Sequence, residues 1–462
     1  MTDITELQDD FQKMRAASRS AVEVDYATRK DRLKRLKAML LAYDAQIVAA
    51  INADFGCRVP AETRLMEIVP LMNALRHASR KLRGWMRPSR RPISVVFLPG
   101  SGRIVPQPLG LVGIIAPWNY PLFLTIGPLI DVLAAGNRAM IKPSELCPAF
   151  SELLGRIISE TFAPDEVQVV QGGADVAEAF SALPFDHVIF TGSASIGRKV
   201  AQAAAANLTP VTLELGGKSP VVITPDANLA KAAKSIAFGK FVNAGQTCVA
   251  PDYVLVPRAQ MSELVQMLEQ DIRNGYPDLS NGYTSTISQR HFDRHAAMLD
   301  ELASETEVRQ IGDTDATARR FAPTLVLSPP PDAWVMREEI FGPILPIIPY
   351  DDLDEALQLI NAGERPLAVY CFASSAHQRD RVVNGTIGGG MTVNGTLLHL
   401  AQDELPFGGV GNSGSGVYHG YEGFKRFSHM KPVFRIGFYN AFESMGPPWG
   451  KLAKLTYRFL VR

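Results

Sequence analysis

Cysteine, net charge and paired metal-ligating residues are all scarce in this sequence. Four cysteines occur among 462 residues, at positions 57, 147, 248 and 371, and they form no CxxC pair. This spacing argues against a cysteine zinc site and a disulfide framework, and it is typical of a reducing compartment. The formal net charge is zero, with 47 basic and 47 acidic residues, which argues against nucleic acid as a partner. The eight histidines form no HExxH motif, and the sequence predicts no metal site.

The sequence also lacks an uninterrupted membrane span. Its N-terminus, Met-Thr-Asp-Ile-Thr-Glu, is polar and acidic, unlike a secretory signal, so we expect a cytoplasmic protein. Residues 104–130 contain no Lys, Arg, Asp or Glu, and this length can cross a bilayer. Five prolines interrupt the stretch, however, and Trp-Asn-Tyr lies at its centre. A buried strand, a loop and a core helix explain it better, and we expect no transmembrane segment.

What remains is typical of a large globular α/β protein. Hydrophobic residues make up 46% and charged residues 20% of the chain, and its length favours two large domains. Residues 1–86 have the apolar spacing of helices, and a Pro-Gly turn between residues 95–98 and 102–105 indicates a hairpin. Strand-like and helix-like segments then alternate in two series, the second running from about Val221 to Phe407, which predicts parallel sheets with helices on their faces. The predicted strands are 112–115, 139–142, 167–170, 187–190, 221–223 and 253–256, and the predicted helices are 121–135, 151–162, 196–206 and 229–242.

Cys248 and Glu214 are the most informative pair of residues. Cys248 follows Asn-Ala-Gly-Gln-Thr, small and amide residues that leave a thiol accessible to a substrate. Glu214 stands between leucines before Gly216 and Gly217, where partial desolvation raises the proton affinity of a carboxylate. The two together indicate a nucleophile and a general base that form and then hydrolyse an acyl-enzyme. Taken alone, each also fits a structural role, with the cysteine buried and the glutamate paired locally.

Two further motifs follow predicted strands. Thr191-Gly192-Ser193 precedes a helix whose N-terminal amides can bind a pyrophosphate, although a simple turn capped by Ser193 fits equally well. Lys142 and Glu145 can bind ribose hydroxyls or form a surface ion pair that contributes little.

Asn119, Glu339 and Phe341 are weaker candidates. Asn119, between aromatic and proline residues, can donate to an oxyanion or close a turn. Glu339 and Phe341 precede a Gly-Pro pair, and the same residues fit a helix start followed by a stop.

Three features of the C-terminal third are given structural interpretations. A GxGxxG pattern at 409–414 lacks the flanking strand and helix of a dinucleotide fingerprint, and we expect a glycine loop near the mouth of the site. His399 and His419 near this loop fit a structural role better than a catalytic one. Residues 449–462 predict a basic amphipathic helix that docks on the protein's own surface or contacts a membrane peripherally.

These motifs together resemble the aldehyde dehydrogenase superfamily. They occur in the order and at the spacing of that family and cover most of the chain. The short N-terminus, the run Leu405–Gly414 and Tyr418-His419-Gly420 resemble its class 3 branch. Residues 207–212 and 243–253 look most similar to bacterial coniferyl aldehyde dehydrogenases. The loop 393–399 departs from the Asn-Asp-Val pattern of many relatives, so no single relative's substrate is carried over.

The resemblance implies roles for individual residues. Cys248 attacks the aldehyde, Asn119 and the Cys248 amide hold the oxyanion, and Glu214 activates water. The implied product is a carboxylic acid, and the aldehyde is expected to be aromatic, such as coniferyl aldehyde, or medium-chain aliphatic. The implied cofactor is NAD or NADP, and class 3 relatives often accept both. The residues expected to bind it are Lys142, Glu145, Thr191, Gly192, Ser193, Glu339 and Phe341.

The resemblance also implies a domain organisation and a homodimer. The expected parts are a dinucleotide-binding domain (1–89 and 105–213), a catalytic domain (214–415), an oligomerisation element (90–104 and 416–445) and a C-terminal tail (446–462). Two alternatives stay open at this point: an enzyme that transfers the acyl group to coenzyme A or phosphate, and a structural homologue without turnover. Glu214 argues against the first, and the presence of Cys248, Glu214 and Asn119 together argues against the second.

Overall fold

The computed structural model describes residues 2–302 and 306–461, and within them the chain has an α/β fold. The strands are Ser89–Arg91 (β1), Ser101–Pro108 (β2), Leu111–Ile115 (β3), Arg138–Lys142 (β4), Val167–Val169 (β5), His187–Thr191 (β6), Val211–Glu214 (β7), Pro220–Ile223 (β8), Tyr253–Pro257 (β9), Glu307–Gln310 (β10), Thr324–Leu327 (β11), Ile344–Tyr350 (β12), Ala368–Phe372 (β13), Gly390–Val393 (β14), Gly414–Ser415 (β15) and Ser428–Arg435 (β16).

Helices surround and connect these strands, and a π-helical turn at Arg64–Ile68 joins the fourth helix to the fifth. The helices are Ile4–Ser20 (α1), Tyr26–Ala42 (α2), Asp44–Phe55 (α3), Pro60–Thr63 (α4), Val69–Trp85 (α5), Phe123–Ala134 (α6), Pro148–Thr161 (α7), Ala174–Ser181 (α8), Ala194–Ala205 (α9), Leu229–Phe241 (α10), Met261–Gly275 (α11), Leu279–Gly282 (α12), Gln289–Asp300 (α13), Trp334–Arg337 (α14), Leu353–Ala362 (α15), Ala376–Gly385 (α16), Gly420–Arg426 (α17), Ala441–Met445 (α18) and Lys451–Leu460 (α19).

A six-stranded sheet is built mainly from the first half of the chain. Its strand order is β15-β7-β6-β3-β4-β5. The five strands β7, β6, β3, β4 and β5 run parallel to one another, and β15 is antiparallel to β7. All five residues of β3 and of β6 are buried, which explains their continuous apolar sequence. The chain runs outward from β3 through β4 to β5 and then returns to the other side of β3 as β6. The strand order therefore reverses between β3 and β6, where ligands bind in open α/β sheets.

A seven-stranded sheet is built from the second half of the chain. Its order is β10-β11-β12-β9-β8-β13-β14, and only the β10–β11 pair is antiparallel. Two parallel-rich sheets thus confirm the predicted α/β class. The division into domains stays a prediction, and β15, which lies in the predicted catalytic segment, joins the six-stranded sheet.

A third sheet has three antiparallel strands in the order β1-β2-β16. It corrects the predicted hairpin, because residues 95–97 form a 3₁₀ turn and β1 pairs with β2 instead. The apolar character of the turn has another cause: the Phe97 ring lies 5.8 Å from that of Phe434 and 5.1 Å from that of Phe442. These apolar residues therefore pack against other side chains and do not pair as a strand.

The proline-rich stretch 104–130 forms the end of β2, the buried strand β3, a loop and most of α6, as predicted. Its α6 portion is almost entirely buried in the main core. In the described parts of the chain, we find no single helix with the length and apolar content needed to span a membrane, although the bent pair α2 and α3 meets those criteria jointly.

Candidate active site

The predicted site residues of the first half meet at one edge of the six-stranded sheet. Lys142, Thr191 and Glu214 are the last residues of the parallel strands β4, β6 and β7, and Asn119 lies in the loop after β3. The carboxyl ends of neighbouring parallel strands lie side by side, so residues far apart in sequence converge there. The antiparallel β15 extends this edge, because Gly414 pairs directly with Glu214. The predicted glycine loop therefore lies against the proposed base.

Cys248 follows a segment of strained backbone. Asn243, Ala244 and Gly245 have successive φ angles of +52°, +51° and +73°, the left-handed region that non-glycine residues rarely adopt. A Cβ on Gly245 would lie 2.2 Å from the carbonyl oxygen of Gly342, so only glycine fits there. Glu62 helps to hold the segment, since its carboxylate accepts a 2.6 Å hydrogen bond from the backbone amide of Asn243. Strain maintained in this way is typical of functional sites.

Asn119 lies against the loop that carries Cys248. Its side-chain Nδ2 donates to the carbonyl oxygen of Gln246 at 3.1 Å, and the hydroxyl groups of Tyr120 and Thr247 are 2.8 Å apart. An asparagine amide has two N–H donors, so this bond leaves one for another acceptor. The structure thus brings Asn119 and the Cys248 loop together.

Glu214 is buried, and neither of its carboxylate oxygens has a hydrogen-bond partner. Burial raises the pKa of this carboxyl well above its usual value, and the charge of Arg426 opposes that rise. Burying a carboxylate without a hydrogen-bond partner costs folding free energy. Such a group is typically found where a ligand or a reaction uses it.

The Cys248 thiol is half-buried and close enough to two carboxylates to respond to them. Burial, followed by the charges of Glu339 and Glu214, raises the pKa of the thiol to about 12, and the backbone amides of Cys248 and Val249 oppose the shift. The coupling indicates that Glu214 and Glu339 lie on the same side of the fold as the proposed nucleophile. It also keeps the thiol protonated near neutral pH.

We therefore expect slow alkylation of Cys248 in the protein without ligands. Iodoacetamide reacts with the thiolate, so the rate is expected to rise about tenfold per pH unit between pH 7 and 10. Glu339→Gln removes a negative charge that is present mainly above pH 8, because the pKa of Glu339 is about 8, so it is expected to speed the reaction above that pH. Peptide mapping measures both rates, with Cys57, also half-buried and free, as the internal reference. Alkylation of Cys248 at pH 7 as fast as that of Cys57 would contradict this electrostatic account.

Glu339 lies in a loop after α14, not at the helix start considered above. Its carboxylate fills the space over Gly216, where a Cβ would lie 2.0 Å from a carboxylate oxygen. Burial, then the charge of Asp252, raises the pKa of Glu339 to about 8, with the Gly217 amide opposing. Phe341 has a φ of +50°, and its ring lies 5.4 Å from that of Trp118. Both predicted residues of this loop thus reach the site.

The remaining predicted cofactor residues form a group around the ends of β4 and β6. Lys142 is buried, its Nζ donates to the Pro143 carbonyl at 2.7 Å, and it lies 3.6 Å from the half-exposed Glu145 carboxylate. Burial lowers the pKa of Lys142, and Glu145 opposes this. Ser193 caps α9 by accepting from the Ile196 amide, so the capped-turn interpretation is correct without excluding a ligand.

The Gly192 amide takes part in the sheet. It donates to the backbone oxygen of Glu214 at 3.0 Å and therefore extends the sheet instead of remaining free for a pyrophosphate. Gly192 contributes by lacking a side chain, since a Cβ would lie 2.6 Å from the Phe190 ring. Free donors at this place come instead from the first turn of α9.

These observations fit a dinucleotide cofactor. Three features lie at this edge, near the place between β3 and β6 where the strand order reverses. They are the N-terminus of α9, the buried Lys142 amine beside the exposed Glu145 carboxylate, and the Glu339 carboxylate over Gly216. The orphaned oxygens of Glu214 mark where the chemistry can occur. Each group matches a polar part of a nicotinamide dinucleotide: phosphates, ribose hydroxyls and the reacting end.

Sequence reasoning missed Tyr418 and Arg426. The Tyr418 hydroxyl is buried without a hydrogen-bond partner, and burial together with the charges of Glu214 and Cys248 raises its pKa well above the usual value. The Arg426 guanidinium donates to the Thr212 hydroxyl at 2.7 Å and to the Val211 carbonyl at 2.6 Å, which fixes β7 and its terminal Glu214. Tyr418 appeared in the sequence analysis only within a family-like run and without a role, and no local motif marked Arg426, because the fold alone brings α17 and the residues before it to this edge.

Two histidines at the HxxxH spacing, His291 and His295 on α13, were also missed. The His291 ring lies 5.0 Å from that of Trp118, and a Cβ on Gly342 would lie 2.2 Å from the His295 ring. These rings therefore shape the loop that carries Phe341. No third ligand joins them among residues 2–302 and 306–461 to form a metal-binding group.

Four aromatic residues near the site, Trp118, Tyr120, Phe123 and Phe407, have different surroundings. Tyr120 is buried beneath Arg58 and is core packing, and Trp118 packs on Phe341. Phe123 and Phe407 both contact His419, with ring distances of 6.1 and 5.2 Å. These three rings form an aromatic wall beside Tyr418.

The family model described as the aldehyde dehydrogenase family matches residues 3–433. Among curated proteins, the chain is 46% identical to a protein named probable coniferyl aldehyde dehydrogenase in Pseudomonas aeruginosa, over 100% of this chain and 97% of the relative. It is 44% identical to the coniferyl aldehyde dehydrogenase of a Pseudomonas species, over 88% of this chain and 85% of the relative.

Solved structures show a similar fold. A substrate-bound AldH of Staphylococcus aureus has a TM-score of 0.93 and 37% identity, covering 99% of this chain and 100% of that one. An aldehyde dehydrogenase of Mycobacterium tuberculosis in complex with NAD+ has a TM-score of 0.85 and 26% identity, covering 95% and 91%.

Proposed function

The chain belongs to the aldehyde dehydrogenase family, and we propose that it oxidises an aromatic aldehyde to the free acid through a covalent intermediate on Cys248. NAD(P)-dependent aldehyde oxidation is the activity of the family. The assignment of roles to individual residues is our proposal. One observation supports it most: the buried, unpartnered carboxylate of Glu214 is electrostatically coupled to the Cys248 thiol at the carboxyl edge of the sheet.

Cys248 is proposed as the nucleophile. Its sulfur forms a bond to the aldehyde carbon, and the thiol proton is released to solvent, which leaves the unpartnered Glu214 carboxylate ionised for the second half of the reaction. The carbonyl oxygen becomes an oxyanion that accepts hydrogen bonds from the second N–H of Asn119 and from the Cys248 amide. Removing one such donor typically costs about 3–4 kcal/mol of transition-state stabilisation. Loss of a hydride from this adduct leaves a thioester on Cys248.

Glu214 is proposed to release the acid. As an ionised carboxylate it removes a proton from water, which attacks the thioester carbon, and the carbon–sulfur bond then breaks to regenerate the thiol. Burial raises the pKa of Glu214, so the group binds protons more strongly than an exposed carboxylate does. This base makes hydrolysis the favoured outcome over transfer to coenzyme A or phosphate.

NAD or NADP supplies the hydride acceptor when it is bound. We propose that Lys142 and Glu145 hold the adenosine ribose, that the start of α9 after Thr191, Gly192 and Ser193 holds the pyrophosphate, and that Glu339 and Phe341 hold the nicotinamide ribose. The Lys142–Glu145 pair and the position of Glu339 over Gly216 support these assignments.

The substrate is proposed to be an aromatic aldehyde of the coniferyl type. In the aromatic wall, Phe407 is buried between the half-buried rings of Phe123 and His419, and the exposed parts of these two rings are proposed to contact the ring of the substrate. Relatives named coniferyl aldehyde dehydrogenase, at 44–46% identity, support the same choice. A medium-chain aliphatic aldehyde can also bury its chain against these rings.

A spectrophotometric assay tests this function. Purified protein is mixed with NAD or NADP and with acetaldehyde, decanal, cinnamaldehyde or coniferyl aldehyde, without coenzyme A or phosphate, and the reduced nicotinamide and the acid are measured. We expect turnover, with kcat/KM for coniferyl aldehyde or cinnamaldehyde at least about tenfold above that for acetaldehyde, because burial of a ring contributes about 1.5–3 kcal/mol. Equal or better turnover of acetaldehyde would overturn the aromatic preference, and acid formation only with coenzyme A or phosphate would overturn the hydrolytic role.

A homodimer and a reducing, cytoplasmic location are further parts of the proposal. The three-stranded sheet has two edge strands, β1 and β16, and β16 carries the exposed side chain of Phe434, all of which a second copy can cover. Light scattering of the full chain in solution tests the dimer. The four cysteines are all free, which supports a reducing compartment.

A further inference from the structure

Two oppositely charged side chains are buried together beside the turn that carries Asn119. The Arg58 guanidinium and the Glu67 carboxylate lie 3.1 Å apart, and neither side chain has solvent-exposed surface. Glu67 belongs to the π-helical turn Arg64–Ile68, a conformation that is frequent at functional sites. Removing two charges from water costs free energy that their mutual attraction often does not recover. The burial of this pair therefore indicates a role other than stability.

The buried pair holds the backbone around Asn119. The Nη1 of Arg58 donates to the backbone oxygen of Asn119 at 3.2 Å. One carboxylate oxygen of Glu67 accepts hydrogen bonds from the backbone amides of Leu122 and Phe123, at 2.9 and 3.0 Å. Charged groups from the N-terminal region thus fix the loop that presents the Asn119 side chain.

Glu62, in the short helix α4 just before this turn, holds the loop that carries Cys248. Its carboxylate accepts a 2.6 Å hydrogen bond from the backbone amide of Asn243 and a second hydrogen bond from the Thr284 hydroxyl. Asn243 is fully buried, and its φ of +52° begins the left-handed segment of this loop. An unpaired buried amide costs about 1–3 kcal/mol, so the Glu62 carboxylate stabilises the strained conformation.

Hydrogen bonds join the Asn119 turn and the Cys248 loop into one unit. The backbone oxygen of Asn119 accepts from the Asn243 side chain at 3.0 Å, in addition to the bond from Arg58. The backbone oxygen of Gln246 accepts from the side chains of both Asn119 and Asn243, at 3.1 and 3.2 Å. The two segments, and with them the two proposed oxyanion donors, are therefore held in a fixed relative position.

Arg58, Glu62 and Glu67 together are called the brace. We propose that the brace positions the two oxyanion donors of the reaction, the Asn119 side chain and the Cys248 amide, relative to each other. The inference rests on the function proposed above, in which these donors stabilise the charged adduct. Such donors act only when they are preorganised where the charge develops, and a displacement of about 1 Å can lower a rate by about 10²-fold. The brace acts through other residues and contacts neither the aldehyde nor the cofactor in this proposal, so its members are positioning residues.

Glu62→Ala is the first test of the brace. It removes the acceptor of the Asn243 amide, and kcat is expected to fall about 30–100-fold because the Cys248 loop shifts. The KM values for coniferyl aldehyde and NAD(P) are expected to stay within about threefold, since neither molecule carries the oxyanion that the donors stabilise. Glu62→Gln keeps an acceptor oxygen in the same place and is expected to retain kcat within about threefold. Reduced-nicotinamide absorbance measures all of these constants.

Asp226→Ala is the matched control. The Asp226 carboxylate accepts the same two kinds of hydrogen bond, from the Ser375 backbone amide at 2.7 Å and from the Thr224 hydroxyl at 2.5 Å. Asp226 follows the end of β8, whereas the proposed base Glu214 precedes its start. We expect Asp226→Ala to retain kcat within about twofold. A loss of kcat as large as that of Glu62→Ala would overturn the proposal, because any lost carboxylate contact would then suffice.

A double-mutant cycle tests whether the buried pair acts through Asn119. Arg58→Met is combined with Glu67→Gln, because removal of one charge alone would leave the other buried and unpaired. This pair variant is expected to lower kcat at least about tenfold in the unaltered chain, but less than about twofold in Asn119→Ala, whose donor is already lost. Glu62→Ala is expected to lower kcat at least about tenfold in both backgrounds, because it acts on the Cys248 loop.

Alkylation of Cys248 tests the Glu62 contact without turnover. Glu62→Ala is expected to loosen the strained loop and expose the thiol, so that iodoacetamide reacts at least about fivefold faster at pH 8 than with the unaltered chain. Asp226→Ala is expected to react at the unaltered rate. Peptide mapping measures the rates, and each protein is studied at least about 10 °C below its own unfolding temperature, so that loss of folded protein does not contribute.

The outcomes separate this inference from the proposed function. Unchanged kcat and unchanged Cys248 alkylation in Glu62→Ala would overturn the brace, and so would an effect of the pair variant that is equally large with and without the Asn119 side chain. An unaltered chain that oxidises no aldehyde would overturn the proposed function, and the alkylation rates would then test the brace alone.

Discussion

Cys248→Ala is expected to abolish aldehyde-dependent NAD(P) reduction, with kcat/KM falling by about 10⁴-fold or more. The Cys248 sulfur is proposed to bond to the aldehyde carbon, whose C–H bond then breaks as the hydride leaves, and we expect no other thiol of the described residues to replace it. Cys147 and Cys371 are buried, the Cys147 thiol donates to the Trp118 carbonyl at 3.4 Å, and Cys57 lies before α4. The assay is reduced-nicotinamide absorbance with coniferyl aldehyde as substrate.

Cys57→Ala is the matched control for this variant. Cys57 is the other half-buried free cysteine, and the loss of its thiol is expected to leave turnover within about twofold of the unaltered protein. Substantial turnover by Cys248→Ala, with Cys57→Ala equally active, would contradict covalent catalysis at Cys248.

Glu214→Gln is expected to separate the two halves of the reaction. Glutamine has the same shape but cannot accept a proton from water, so the thioester forms and then persists. We expect a single burst of reduced nicotinamide, about one per active site, followed by a steady rate lower by about 10²–10⁴-fold. Rapid-mixing absorbance measures the burst and the steady rate in one trace. A steady rate close to that of the unaltered protein would contradict the role of Glu214 as the base.

The pH dependence of the steady rate is a second test of the role of Glu214 as the base. The base must be ionised, and burial raises the pKa of Glu214, so the steady rate is expected to increase as pH rises through a value well above the usual range of a glutamate. Below that pKa the carboxyl is protonated and the rate is lost. This rising limb is expected to disappear in Glu214→Gln, whose residual rate has no carboxyl to titrate.

Much of the fold could be predicted from the sequence because its signals are local. Apolar runs such as Val112–Ile115 and His187–Phe190 become central strands that are buried on both faces. Strand β7 was missed because Val211–Glu214 is short and half polar, and its Thr212 bonds to His187 and Arg426 rather than packing as a core residue. The hairpin was misassigned because the apolar residues 95–97 pack against aromatic rings of other segments.

The site could be predicted only in its parts. Motifs indicated Cys248, Glu214 and Glu339 separately, but their proximity depends on how three distant loops meet, which no local pattern specifies. The left-handed backbone of Asn243 and Ala244 is likewise a product of its surroundings, since neither residue requires it. The high pKa of the thiol follows from burial and from carboxylates distant in sequence. Sequence indicated the chemical groups, and the fold determines their protonation.

The central claim is that Cys248 carries the acyl group and Glu214 releases it. Intact-mass spectrometry of the Glu214→Gln protein, after brief mixing with NAD(P) and coniferyl aldehyde, tests this most directly. We predict a mass increase equal to one acyl group, located on the peptide that contains Cys248 and absent from the double variant with Cys248→Ala. An unmodified Cys248 in protein that has produced its burst of reduced nicotinamide would contradict the account.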